Sequence, residues 1–231
     1  MSFSKEDILY IDNHLIIVHK KTGQLVQGDN TGDIPLPELI KAWMKIEFNK
    51  PGDVFLGVVH RLDRPVSGAV IFARTSKALT RMNEMIKTGG MQKTYWAIVK
   101  NKPEKEEATL KHYLLKKSEN NKSFAHEKPV PGSKYSELDY KIIAKSNHYF
   151  LLEILLKTGR HHQIRSQLAK IGCPIKGDAK YHFDRPNKDG SIDLHARSIR
   201  FIHPVSHEPV FVTCPVPDEV LWKSFEQLMT K

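Results

Sequence analysis

The chain is poor in cysteine. Two occur in 231 residues, Cys173 and Cys214, far apart. They build neither a disulfide framework nor a Cys-x-x-Cys metal signature. Two reduced, buried thiols in a cytoplasmic protein are the expectation. No apolar run approaches the length of a membrane span. The N-terminus, Met-Ser-Phe-Ser-Lys-Glu-Asp, carries acids and no long apolar segment, so it does not read as a signal peptide. Nucleotide loops are missing too: neither a Walker-type loop nor Gly-x-Gly-x-x-Gly is present, and no nucleophilic Ser or Cys elbow. ATP, dinucleotide and acyl-transfer chemistry therefore lose ground.

Cations are in surplus. Lys and Arg number 36 against 26 Asp and Glu, for a formal charge of +10. Such a balance attracts polyanions, among them RNA, DNA and anionic membranes. The length and a hydrophobic share of 40% fit a globular chain able to bury its own core.

Apolar patterning predicts a hairpin over 8–18 and a helix through Leu39, Trp43 and Phe48, ending near Pro51-Gly52. Strands are expected at Phe55–Val59 and Ala69–Ala73. A helix capped by Thr75 or Ser76 should run to Gly89-Gly90. Further strands are expected at Lys93–Val99, Leu138–Ala144, Tyr149–Leu156, Leu194–Phe201 and Val210–Thr213. Helices should span His162–Ile171 and begin again at Pro217-Asp218. Segments 20–32 and 60–67 read as polar loops. The stretch 101–132 is weakly patterned. It reads either as a mobile or RNA-facing insert or as a surface loop around one strand at Tyr113–Leu115. Strands often follow one another without a helical crossover, which predicts an α+β fold with a mainly antiparallel sheet.

Four segments carry candidate chemistry. In His60-Arg61-Leu62-Asp63-Arg64-Pro65, a carboxylate sits among cations on a loop between strands. Cations keep a carboxylate ionised and able to act as base or nucleophile. A surface turn with its own ion pairs gives the same pattern. In Lys157-Thr158-Gly159-Arg160-His161-His162-Gln163-Ile164-Arg165, a glycine turn leads into a helix start, a natural anion site beside basic residues. The adjacent histidines lack a further ligand at metal spacing, so no metal is expected. Lys93-Thr94-Tyr95-Trp96-Ala97 offers an aromatic on a strand, suited to stacking on a base or to packing in a core. Leu194-His195-Ala196-Arg197 sets basic residues on alternate positions of a strand.

Together these segments resemble the RluA-like family of pseudouridine synthases. The family's His-Arg-Leu-Asp, followed by Thr-Ser-Gly, is matched at His60–Asp63 and, with Val66 replacing Thr, at Ser67-Gly68. Its Lys-x-Tyr-x-Ala strand is matched at Lys93, Tyr95 and Ala97. Its Gly-Arg-x-His-Gln-Ile-Arg segment is matched at Gly159, Arg160 and His162–Arg165, and its Leu-His-Ala at Leu194–Ala196. The common Gly-Asp-x-x-Tyr-Gly departs at its last position, reading Gly177-Asp178-Ala179-Lys180-Tyr181-His182.

The resemblance implies the pseudouridine synthase fold as one catalytic domain over 1–231. The separate N-terminal RNA-binding domain of many relatives is not expected, because the catalytic pattern begins near residue 8. The resemblance also implies isomerisation of particular uridines in ribosomal or transfer RNA, without cofactor or nucleotide. A monomer is the default expectation. Asp63 would be the catalytic carboxylate. Arg165 would pair with it, and Tyr95 would stack on the flipped uracil. Arg61 would fill the gap left in the RNA, with Arg160, His162 and Arg197 as further RNA contacts. A non-catalytic RNA- or ribosome-binding module of the same fold is the alternative. A metal-dependent nuclease using the histidines is a more distant one.

Overall fold

The computed structural model describes residues 3–229. The chain forms two compact units, Met1–Gln92 with Ala196–Pro215, and Lys93–His195 with Val216–Lys231.

In the first unit the hairpin appears as β1 (Ile8–Ile11) and β2 (Leu15–Lys20), turned by Asp12. The Asp12 Oδ1 accepts both the His14 and Leu15 N–H groups at 2.7 Å. Helix α1 (Leu36–Glu47), β3 (Gly57–Val58), β4 (Ser67–Ala73) and α2 (Ser76–Lys87) follow. The Thr75 hydroxyl caps α2 by accepting the Ala78 N–H at 3.1 Å. β4 lies antiparallel beside β2, with Leu15 opposite Ala73 and Lys20 opposite Gly68. Two late strands, β10 (Leu194–Ile202) and β11 (Pro209–Thr213), complete the sheet, β10 next to β4. Leu15, Ile17, Ala69 and Ile71 pack with Ala78 and Met82 of α2. Ile16, Val18, Val70 and Phe72, on the opposite face, are equally buried. Both faces of β2 and β4 are thus covered, and each such side chain contributes about 1.5–3 kcal/mol of burial. The expected strand at Phe55–Val59 shortens to two residues, and Phe55 is 46% exposed.

In the second unit β5 (Met91–Val99), β9 (Phe150–Leu156), β8 (Lys134–Lys145), β6 (Glu107–Lys117) and β7 (Lys122–His126) lie side by side in that order, each pair antiparallel. Helices α3 (Gln163–Lys170) and α4 (Val220–Met229) belong here. Trp222 and Phe225 of α4 pack on Trp96, Ile98 and Leu151. Stretch 101–132 departs from expectation: it is not a loop around one short strand but carries an 11-residue strand paired with a 5-residue one. The reason is legible afterwards. Leu110, His112 and Leu114 alternate inward along β6, while lysines and tyrosine fill the outward positions. Helix α4 begins at Val220, three residues later than expected. Among the described residues no helix is long and apolar enough to cross a membrane.

The α+β architecture with a mainly antiparallel sheet is as the sequence predicts. Both cysteines are buried, and neither forms a disulfide.

Candidate functional site

Asp63 lies on the loop between β3 and β4, half-buried. The loop is shaped by its own backbone, the Asp63 carbonyl accepting the Val66 N–H at 3.0 Å. It is also fastened by Lys20, the last residue of β2. Lys20 is fully buried. Its Nζ donates to the carbonyls of Val66 at 2.6 Å and of Arg64 and Lys21 at 3.2 Å. Burial pushes the Lys20 pKa down to about 7, while the charge of Asp63 works to raise it. A buried ammonium thus gathers the carbonyls around the candidate carboxylate and feels its field. Gly68, at φ +124, is the second residue of β4, where the backbone of Ala196 passes: a Cβ there would stand 2.4 Å from the Ala196 nitrogen. Only glycine fits.

The basic residues beside Asp63 in sequence also bind elsewhere in the fold. The Arg61 Nη1 donates to Gln27 Oε1 at 2.6 Å, and Arg61 is exposed. Arg64 reaches Asp33 at 2.5 Å and the Thr31 hydroxyl at 3.3 Å. His60 Nε2 accepts the Ile71 N–H at 3.2 Å, which fixes a ring with its proton elsewhere. Arg64 and Arg61 therefore bind the 27–33 segment across the loop.

Tyr95 stands on β5 opposite Ile154, 7% exposed. Lys93, two residues before it and on the same face, has its pKa lowered by burial.

Arg165 sits in the first turn of α3 and is buried. Its Nε and Nη2 grip Asp178 Oδ2 and Oδ1 at 2.7 and 2.9 Å, a bidentate pair with both partners out of water. Its Nη1 lies 3.0 Å from His162 Nε2. Arginine has no acceptor, so His162 Nε2 must accept and Nδ1 must carry the proton. That proton faces the Tyr181 hydroxyl at 2.9 Å, which also accepts the Ser123 N–H at 2.8 Å. The arginine also lies 5.0 Å from the Tyr181 ring centre. His162 holds this place in the left-handed region, at φ 51. Its ring stacks on that of His161 at 3.9 Å.

The anion site expected at the start of α3 is partly filled by the protein itself. Gln163 Oε1 accepts the Arg160 N–H at 2.9 Å and the Thr158 hydroxyl at 2.8 Å. The exposed Arg160 side chain donates from Nε to the Tyr135 carbonyl at 3.0 Å. Arg197 is half-buried and donates to the Cys214 carbonyl.

The second unit thus brings together Arg165, His162, Asp178 and Tyr181, and the first unit holds Asp63 with Lys20. Lys20 was missed because it follows an apolar run and precedes a polar one, and nothing in the sequence separates it from the exposed Lys21. Asp178 and Tyr181 stand in a recognised motif, but their partners lie 13 and 19 residues away.

Comparison with known proteins bears on the family and the fold. The family described as RNA pseudouridylate synthase matches residues 14–170. The chain is 30% identical over 219 residues to "Ribosomal large subunit pseudouridine synthase C" of Vibrio vulnificus, covering 92% of this chain and 66% of that one. It is 31% identical over 232 residues to the protein of the same name from Escherichia coli, covering 96% and 69%. The chain therefore spans about two thirds of the length of these relatives. The solved structure of "Human RNA Pseudouridylate Synthase Domain Containing 4" superposes with a TM-score of 0.79 at 19% identity, covering 97% of this chain and 93% of that one, and shows the same fold. With a family match over most of its length and the motif residues on the loops and strands just described, the chain belongs to the RNA pseudouridylate synthase family.

Proposed function

We propose that this chain isomerises specific uridines in RNA to pseudouridine, with Asp63 as the catalytic carboxylate. The observation that carries the reading is the seating of Asp63: a half-exposed carboxylate on a loop drawn together by the buried ammonium of Lys20. A rigid loop can present a reactive group to a large substrate while the scaffold absorbs the cost of ordering it.

In the reaction the bond between ribose C1′ and uracil N1 breaks, the uracil turns, and C1′ joins C5. The C5 proton leaves and N1 takes one up, so no oxidant, reductant or energy donor is consumed. Tyr95 stacks on the uracil and assists removal of the C5 proton. Arg165, held in place by Asp178 and His162, serves the catalysis as a second charged group. The target must leave its stack, at a cost of a few kcal/mol. Arg61, Arg160, His162 and Arg197 contribute RNA contacts, and the charge of +10 supplies the wider attraction to phosphate. The relatives named for the ribosomal large subunit favour ribosomal RNA over transfer RNA as the substrate. On this reading the chain acts in the cytoplasm as a monomer.

The test is to map pseudouridine by chemical probing in cells lacking the gene and complemented with wild type or Asp63→Ala. Discrete sites should vanish on deletion and return only with wild type. Restoration of every site by Asp63→Ala would overturn the assignment and leave a non-catalytic RNA-binding module in its place.

A further inference from the structure

Strands β8, β6 and β7 present one face that the proposed chemistry does not use. Tyr113 stands opposite both His126 and Tyr135, Leu115 opposite Phe124, Lys117 opposite Lys122, and Lys111 opposite Glu137. Directly opposed residues share a face, and alternation keeps this set together. The reverse face, with Leu110, Leu114, Leu138 and Ser136, is buried. The outward face is not: Tyr135 is 40% exposed, Lys111 and Lys117 are exposed, and Phe124 and Lys122 are half-exposed.

Aromatics and cations interleave here. The ammonium groups of Lys117 and Lys122 each lie 5.4 Å from the centre of the Phe124 ring. Tyr113 and Tyr135 meet edge to face at 5.8 Å, and Arg160 is fastened to the Tyr135 carbonyl. The acids on the face are engaged: Glu137 takes the Tyr135 hydroxyl, and Asp139 is bound by Lys157 at 2.9 Å and Thr109 at 2.8 Å. Glu119 and Glu127 lie at the ends of the hairpin.

We propose that this face binds unpaired RNA flanking the target uridine, with bases stacked on Phe124 and Tyr135 and phosphates met by Lys117, Lys122 and Arg160. The RNA partner rests on the synthase reading above. Aromatic rings on an open sheet face accept any base, because every base has a flat π surface. Both lysines lie against the Phe124 ring, and Lys122 also lies 4.9 Å from the Tyr181 ring centre and 3.2 Å from His182 Nε2. A base stacked there sets both ammonium groups beside its own phosphates. A neutral protein surface would be a poor match for such a face, since the cations would be buried without partners.

The experiment measures binding of the full chain to labelled single-stranded oligouridylate and to a blunt RNA duplex of equal length, over a range of salt. Phe124→Ala should weaken single-strand binding roughly 5- to 150-fold with little change in salt dependence. Lys117→Gln with Lys122→Gln should weaken it and make the log–log salt slope shallower by about 1.4, two phosphates' worth. Duplex binding should change far less. Thermal melts of the variants are measured alongside and should stay close to wild type, which separates lost binding from lost folding. Unchanged single-strand affinity in both variants, or equal losses on duplex, overturns the proposal. Pseudouridine formation is read in parallel. If wild type binds through this face yet makes no pseudouridine, the face stands and the synthase reading fails. If it makes pseudouridine while the variants bind normally, the face fails and the synthase reading stands.

Discussion

Arg165 meets Asp178 through two parallel hydrogen bonds, at 2.7 and 2.9 Å, with both side chains removed from water. The guanidinium is therefore not a free arm at a helix start but a fixed plane, backed by the neutral His162 ring on its remaining nitrogen. Removing one partner from such a pair strands a buried charge. Asp178→Asn should cost about 3–5 kcal/mol of stability. For a chain of this size that lowers the melting temperature by roughly 6–20 °C, measurable by calorimetry. Arg165→Lys should be nearly as damaging, because an ammonium cannot reproduce the bidentate geometry. A melt unchanged in either variant would refute the picture.

Gly68→Ala adds a single methyl group where the Ala196 nitrogen would be 2.4 Å away, at a φ of +124. The clash is with backbone in a sheet with both faces covered, so no side chain can yield. The variant should lose more than about 4 kcal/mol and accumulate as insoluble protein. A soluble variant with a wild-type melt would disprove the close approach.

Lys20 makes the stability depend on pH. Its pKa is 10.5 when unperturbed and about 7 in the fold. Between those values the unfolded chain holds the extra proton, so raising the pH through that window stabilises the fold. Below about pH 7 both states carry the charge, and the whole cost of burying it remains. The difference in unfolding free energy between wild type and Lys20→Met should accordingly grow in favour of wild type from pH 7 towards 10, in denaturant titrations. A difference flat with pH would mean that Lys20 titrates normally.

Tyr95→Phe keeps the ring and deletes the hydroxyl. If the phenol assists proton removal, kcat should fall on the order of 10²–10⁴-fold while RNA affinity holds. An undiminished kcat would confine Tyr95 to stacking.

Burial raises the Cys173 pKa to about 11 and that of Cys214 to about 12. Thiolates are then scarce at neutral pH. A chromogenic disulfide reagent should find neither thiol in the native protein and both after denaturation. Rapid native reaction would show that the thiols are accessible.

The sequence by itself determined the elements whose periodicity is strong: the hairpin at β1 and β2, the amphipathic α1 and α2, and the paired β8 and β9. It also determined the motif residues Asp63, Tyr95 and Arg165, because a run of unusual residue types in fixed order is legible without coordinates. Tertiary structure alone decided what those residues touch. Lys20 and Lys21 are the same residue type in adjacent positions, yet one is sealed beneath the Asp63 loop and the other salt-bridges Asp7 at the surface. Strand parity makes that distinction only once the strand's end is known. Arg64 carries its charge to Asp33 rather than to its neighbour in sequence. β6 was obscured because its outward lysines and aromatics dilute the apolar signal of Leu110 and Leu114, and its partner strands supply the pairing that its own composition does not announce. Local pattern fixes where a strand or helix is favourable. Burial, charge pairing and the fit of backbone to backbone depend on residues distant in sequence, and only folding brings those together.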